Sequence, residues 1–154
     1  MKRVSVLGST GSIGVQALEV ISLHKLTVTA LAAKSNIELL EEQARRYKPE
    51  TVCIYDEEKY SLLKSRLADM GVKVVCGMHG LCEIAAMQDT DVMLNSVVGM
   101  VGLLPTLTAI GNGTSVALAN KETLVAGGNL VMELAEKKGV AIYPVDSEHS
   151  AVFQ

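Results

Sequence analysis

The feature that most constrains this chain is an alternation carried along its whole length. Short runs rich in Val, Ile, Leu and Ala are followed by longer stretches with apolar residues at helical spacing. RVSVLG reads as a strand, Arg3 to Leu7. Ser12 to His24 then reads as a helix with Ile13, Ala17, Val20, Ile21 and His24 on one face. LTVTALAA is a second strand. Asn36 caps a helix whose stripe is Ile37, Leu40, Ala44 and Tyr47, and Pro49 closes it. TVCIYD is a third strand, followed by a helix with Tyr60, Leu63, Leu67 and Met70 in line and Gly71 at its end. VKVVCG, DVMLNSVV, SVALAN and GVAIYPVD continue the strands. Between them the pattern predicts a short helix near Gly80 to Met87, one from about Gly102, and one from Lys121 to Lys138 with Leu124, Gly128, Val131 and Ala135 on one side. Strand and helix in turn, with short connections and right-handed crossovers, give an α/β fold. The expectation is a Rossmann-like, doubly wound, mostly parallel sheet of about seven strands with helices on both faces. In such sheets ligands gather at the carboxyl ends of the strands.

Composition narrows the function classes. At 154 residues and 49% hydrophobic, the chain is long enough for one good core. A net charge of −3 without a basic stripe, and 3% aromatics, argue against nucleic acid. No charged residue occurs from Val92 to Asn120, but Asn95, Ser96, Pro105 and several glycines interrupt that stretch. It reads as interior strand, helix and strand and not as a membrane span. Cys53, Cys76 and Cys82 are odd in number and form no CxxC pair, which suits reduced thiols in a cytosolic protein.

Four motifs fall at strand ends. GSTGSIG, with Gly8, Gly11 and Gly14, lies between the first strand and first helix, where a dinucleotide diphosphate binds. Glycines permit close backbone approach, the helix start offers free N–H groups, and Thr10 and Ser12 add hydroxyls. After the second strand, Lys34 stands 20 positions beyond Gly14, beside Ser35 and Asn36. NAD-specific folds place a carboxylate there, so a cation with small donors suits the 2′-phosphate of NADP. In ALANKETLVAGG, Asn120, Lys121 and Glu122 follow the sixth strand. An amide can hold the nicotinamide end of a cofactor and a lysine can polarise a substrate oxygen. A plain helix start capped by Asn120 explains them equally well. Asp146 and Glu148, at i and i+2 of an extended segment, can share one Mg²⁺ or Mn²⁺. An acidic strand end facing solvent is the alternative, and His149 has no assigned role.

Taken in order, GSTGSIG, NSVVGMVGL, ALANKETLVAGG and PVDSEHSAVFQ resemble the N-terminal half of the 1-deoxy-D-xylulose 5-phosphate reductoisomerase family. The resemblance implies that Thr10, Gly11, Ser12 and Ile13 bind the NADPH phosphates and that Ala33, Lys34 and Ser35 sit by the adenosine ribose phosphate. The family often has Gly-Lys-Asn at those three positions, so Ala33 and Ser35 depart from it. It further implies that Asn120 and Glu122 contact cofactor, Lys121 and Ser147 contact substrate, and Asp146 and Glu148 ligate the metal. The implied reaction is a metal-assisted rearrangement of a sugar phosphate followed by hydride transfer from NADPH. Its product is 2-C-methyl-D-erythritol 4-phosphate, an isoprenoid precursor made in the bacterial cytoplasm by a homodimeric enzyme.

On that resemblance residues 1–146 are expected to form the NADPH-binding domain. Residues 147–154 would open a catalytic domain absent from this chain, which alone would be inactive and would expose apolar surface. Two rival classes are a Rossmann dehydrogenase for another substrate and a free-standing nucleotide-binding module. For a semialdehyde enzyme, no cysteine stands where a nucleophile is needed.

Overall fold

The computed structural model describes residues 2–119 and 121–145; of residues 121, 122 and 126 it describes the backbone alone. The elements run β1 (Arg3–Leu7), α1 (Ser12–Leu23), β2 (Thr27–Ala33), α2 (Ile37–Tyr47), β3 (Thr51–Ile54), α3 (Tyr60–Arg66), β4 (Lys73–Cys76), α4 (Gly77–Ala85), β5 (Val92–Asn95), α5 (Leu103–Gly111), β6 (Ser115–Leu118), α6 (Lys121–Lys138) and β7 (Ile142–Pro144). Short 3-10 turns, Glu57–Lys59 and Gly99–Gly102, lead into α3 and α5. The seven strands form one sheet in the order β4-β3-β2-β1-β5-β6-β7. Every neighbouring pair is parallel. The doubly wound sheet expected from the alternation is therefore present, and it is parallel throughout.

Period-2 alternation divides the core into two layers. Val4 and Val6 of β1 point to one face, where they meet Ala17, Leu18 and Ile21 of α1, Leu40 of α2 and Leu63 of α3. Leu7, Met93 and Val116 point to the other, against Leu81 and Ile84 of α4, Ile110 of α5 and Val131 of α6. Burying a side chain such as Ile21, which is fully enclosed, contributes about 2–3 kcal/mol. The chain thus winds one way from β1 out to β4 and, after α4, the other way from β5 to β7. The reversal leaves a crevice between the carboxyl ends of β1 and β5.

Local signals account for most boundaries. The Asn36 side chain accepts a hydrogen bond from the Leu39 amide at 3.1 Å and starts α2, while Lys48, with φ 50°, ends it before Pro49. Glu38 in the first turn and Arg45 and Arg46 in the last suit the helix dipole. At the amino ends of the strands, Arg3 reaches Asp89 at 2.7 Å and Glu50 at 3.0 Å, and its amide donates to Asp91 at 2.8 Å.

Four helices differ from the sequence expectation. In α1 the enclosed residues are Gly14, Ala17, Leu18 and Ile21, whereas His24, expected with them, is exposed just past the helix end. α3 stops at Arg66, before Met70 and Gly71, and a turn with Gly71 at φ +70° completes the connection. α4 begins at Gly77 and not near Gly80. Gly80 is a packing residue, for a Cβ there would lie 2.8 Å from the Cys53 sulfur. In α6, Gly127 leaves helical geometry (φ −134°, ψ 21°). The break shifts the buried face: Thr123, Val131 and Ala135 are enclosed, whereas Leu124, expected with them, is 38% exposed.

Large apolar side chains are exposed around the 3-10 turn before α5 and along α6, with Val98 at 77% and Val125 at 87%, and also at Leu23 of α1 and Leu62 of α3. This agrees with the expected apolar surface. No helix among the described residues is long and apolar enough to cross a membrane.

Candidate functional site

The crevice begins at Gly8, which leaves β1 with φ +83°, a conformation that favours glycine. The amides of Gly8 and Ser9 both donate to the Ala32 carbonyl at the end of β2, at 2.8 and 2.9 Å. From the other side the Ser96 hydroxyl, just past β5, donates to the Leu7 carbonyl at 2.8 Å and approaches that of Gly8 at 3.2 Å. A Cβ on Gly8 would stand 2.8 Å from the Ser96 Oγ and 3.0 Å from its backbone. The turn after β1 is thus tied to both adjacent strands.

The three glycines of the motif do different work. Gly14 is buried, and a Cβ there would strike the Gly8 carbonyl oxygen and lie 2.7 Å from the Ser9 Cα. It lets α1 pack onto the turn. Gly11 is exposed, and a Cβ there would meet nothing nearer than the Gly8 oxygen at 3.5 Å. Internal packing does not require it, and its open side faces solvent at the helix start.

That helix start is uncapped. Gly11 offers no side-chain acceptor, no acidic residue occupies the first turn, and the first intrahelical bond runs from the Val15 amide to the Gly11 carbonyl at 2.9 Å. The amides of Ser12, Ile13 and Gly14 therefore have no intrahelical acceptor, and they sit at the positive end of the helix dipole. Such a terminus favours an anion.

A cleft of about 220 Å³ adjoins it, bounded by Thr10 and Gly11 on one side, Ala32 and Lys34 on another, and Ser96 and Val98 across the crevice. Lys34 is exposed and has no ion-pair partner among the described residues. Its backbone is fixed, because its carbonyl accepts from the Asp56 amide at 2.9 Å. The Ser35 carbonyl accepts from the Lys59 ammonium at 3.0 Å, so a second cation stands beside this loop. Ala33 is only 3% exposed and its methyl belongs to the core. Any ligand contact there is chiefly through the backbone. Lys34 also borders a wider hollow with Ser35, Tyr55 and the acidic Asp56, Glu57 and Glu58.

Of the residues singled out in the sequence, Gly8, Thr10, Gly11, Ala33 and Lys34 line the one cleft together. Ser12 and Ile13 open α1 at its rim, and Ser35 lies on the neighbouring hollow. Lys121 and Glu122 begin α6, so they follow the carboxyl end of β6, but their side chains lie outside the described residues, as does the whole of Asn120. Asp146, Ser147 and Glu148 lie outside them as well. Among the described residues no cluster of three His, Cys, Asp or Glu is placed to hold a metal.

Sequence reasoning did not single out Tyr55 or Ser96. Both stand just past strand ends, β3 and β5, and the rule that ligands collect at carboxyl ends points to them. It also passed over Asn95, whose buried amide donates to the Gly102 carbonyl at 2.9 Å and the Thr106 hydroxyl at 2.7 Å, fixing the far wall of the cleft. Cys53 is held as a neutral thiol. Burial, with smaller contributions from Cys76 and Glu83, pushes it up to about 12. It is no candidate nucleophile.

A parallel doubly wound sheet with an uncapped, glycine-lined helix start at its switch point defines a Rossmann-like domain whose first turn favours an anion. Comparison with known proteins is more specific. Residues 4–128 match the family model for 1-deoxy-D-xylulose 5-phosphate reductoisomerase, and the chain belongs to that family. The 1-deoxy-D-xylulose 5-phosphate reductoisomerase of Lachnoclostridium phytofermentans is 54% identical over 155 residues, covering 100% of this chain and 40% of that protein. The Zymomonas mobilis reductoisomerase solved in complex with NADPH superposes with a TM-score of 0.90 at 41% identity, over 99% of this chain and 41% of that one. A DOX-P reductoisomerase solved with NADPH, fosmidomycin and magnesium gives 0.92 at 36% identity, over 97% and 37%. The chain spans about 40% of the length of the curated relatives it matches.

Proposed function

We propose that this chain is the NADPH-binding part of a reductoisomerase that converts 1-deoxy-D-xylulose 5-phosphate to 2-C-methyl-D-erythritol 4-phosphate in the bacterial cytoplasm. The observation that carries the reading is the row of amides at the start of α1 without an intrahelical acceptor, set behind Gly11 on a cleft shared with Lys34, which has no ion-pair partner among the described residues. The geometry fits a dinucleotide. Thr10, Gly11, Ser12 and Ile13 bind the diphosphate through backbone and hydroxyl donors, and Lys34, with Ser35 beside it, binds the 2′-phosphate. Gly8 and Gly14 shape the turn and keep Cβ atoms out of it. NADPH, when bound, supplies the hydride.

Asn120 and Glu122, beyond β6, hold the nicotinamide end of the cofactor, and Lys121 with Ser147 orients the sugar phosphate. Asp146 and Glu148 provide hard oxygen donors that suit Mg²⁺ or Mn²⁺. Residues 1–146 form the cofactor domain, residues 147–154 open the catalytic domain, and the complete enzyme is a homodimer. Its further ligands come from the part of the longer relatives that this chain does not span.

The test is NADPH oxidation with 1-deoxy-D-xylulose 5-phosphate and Mg²⁺. The 154-residue chain alone is expected to show no turnover. Joined to the remaining length of a relative's chain, it should give metal-dependent turnover that prefers NADPH. Turnover by this chain alone would contradict the division of labour, and turnover without a divalent cation would contradict the metal assignment.

A further inference from the structure

Gln43 is a polar residue in an apolar place. It lies on α2, whose outward face carries Glu38, Glu42, Arg45 and Arg46, yet it is only 6% exposed. Its carboxamide crosses to the glycine-rich turn, where Nε2 donates to the Ser9 carbonyl at 2.9 Å over 34 positions of sequence. Its Oε1 is buried without a partner among the described residues. Enclosing a carboxamide with one function unmet is unfavourable, and a fold core gains nothing by it that an apolar side chain would not give.

The bond it makes is placed to matter. The Ser9 amide already donates to the Ala32 carbonyl at 2.9 Å. With its carbonyl held by Gln43, Ser9 is anchored from β2 on one side and from α2 on the other. The next residue is Thr10, and among the described residues the Gly11 amide that follows donates to the Gly8 carbonyl alone, at 3.2 Å. Whatever fixes Ser9 therefore fixes the direction of the donors from Thr10 to Ile13. Donors that are already aimed bind an anion without a further ordering cost.

We propose that Gln43 is a positioning residue for the diphosphate of the cofactor, acting through the Ser9 carbonyl and touching no ligand itself. This rests on the reading of the turn as a dinucleotide site. A carboxamide reaching from α2 holds the turn in its binding shape before the ligand arrives.

The experiment uses Gln43→Met, which keeps length and removes the donor, and Gln43→Asn, which keeps the amide but shortens its reach. Three quantities are measured on this chain: melting temperature, amide hydrogen exchange of Ser9 and Gly11 without ligand, and affinity for NADPH and for 2′-AMP, which has no diphosphate. Both variants should keep a melting temperature close to that of the parent. Both should exchange Ser9 and Gly11 amides at least about tenfold faster and bind NADPH about tenfold more weakly. Affinity for 2′-AMP should not change. Unchanged exchange in both variants, or equal losses for NADPH and 2′-AMP that follow a falling melting temperature, would overturn the proposal. If the parent chain binds neither ligand, the dinucleotide reading fails, and the exchange rates alone still decide whether Gln43 holds the turn.

Discussion

Gly14 of α1 stands so close to Gly8 that a single methyl group on it would run into the Gly8 carbonyl oxygen. The opposing atoms are backbone, held by the Ala32 carbonyl on one side and Ser96 on the other, so they have little room to yield. Gly14→Ala should lower the free energy of unfolding by about 1–3 kcal/mol, the usual cost of overpacking. Gly11→Ala has space and an ordinary φ of −79°, so its stability should stay within about 0.5 kcal/mol of the parent. Its affinity for NADPH should fall, because the methyl would project where the proposed site places the diphosphate. Urea titration with a parallel binding assay checks both halves.

Lys34 should govern the choice between the two nicotinamide cofactors. A charge-assisted contact to a phosphate is worth about 1.5–3 kcal/mol. Lys34→Ala should therefore weaken NADPH binding by roughly tenfold to a hundredfold and leave NADH nearly unchanged. Equal losses for the two cofactors would place the 2′-phosphate elsewhere.

Ser5 lies at the centre of the sheet, fully buried, and its hydroxyl has no partner among the described residues. Replacing it with alanine removes an unmet polar group without opening a large cavity. Ser5→Ala should raise stability by about 1 kcal/mol, read as a higher denaturation midpoint with an unchanged slope.

The Cys53 thiol should be silent. Burial holds it neutral up to about 12, against 9.0 for a free thiol. A thiol reagent at neutral pH should label the partly exposed Cys76 and Cys82 and reach Cys53 only on unfolding. The unfolded thiol ionises at lower pH than the folded one. This group therefore takes nothing from stability below about pH 9, and its opposition to folding grows from there towards pH 12. A Cys53→Ala variant should lose less stability over that alkaline window.

Much of this was legible in the sequence because strands and breakers coincide. Most of the apolar runs have a Gly, Pro, Asn or Asp at or near at least one end, although LTVTALAA lies between Lys25 and Lys34, and the observed strands fall inside the segments read as strands. The glycine motif was legible for the same reason: it sits between an unmistakable strand and a helix. The buried face of α6 was misread because helical spacing assumes an unbroken helix, and the Gly127-Gly128 pair, a local signal for a break, was read as part of it. Gly80 looked like a helix boundary, but its lack of a side chain serves a close approach to Cys53 that only the tertiary structure creates. Gln43 was passed over because a glutamine among Glu and Arg residues reads as solvated. Its bond to Ser9 joins residues 34 positions apart, a relationship carried by no local pattern.

The central claim is that the first turn and Lys34 together form an NADPH site. The most direct measurement is titration of the purified chain with NADPH and, separately, NADH, followed by cofactor fluorescence. The account predicts saturable NADPH binding and NADH binding at least about tenfold weaker, since only NADPH carries the phosphate that Lys34 would hold. Equal affinity for the two, or binding of neither, would contradict it.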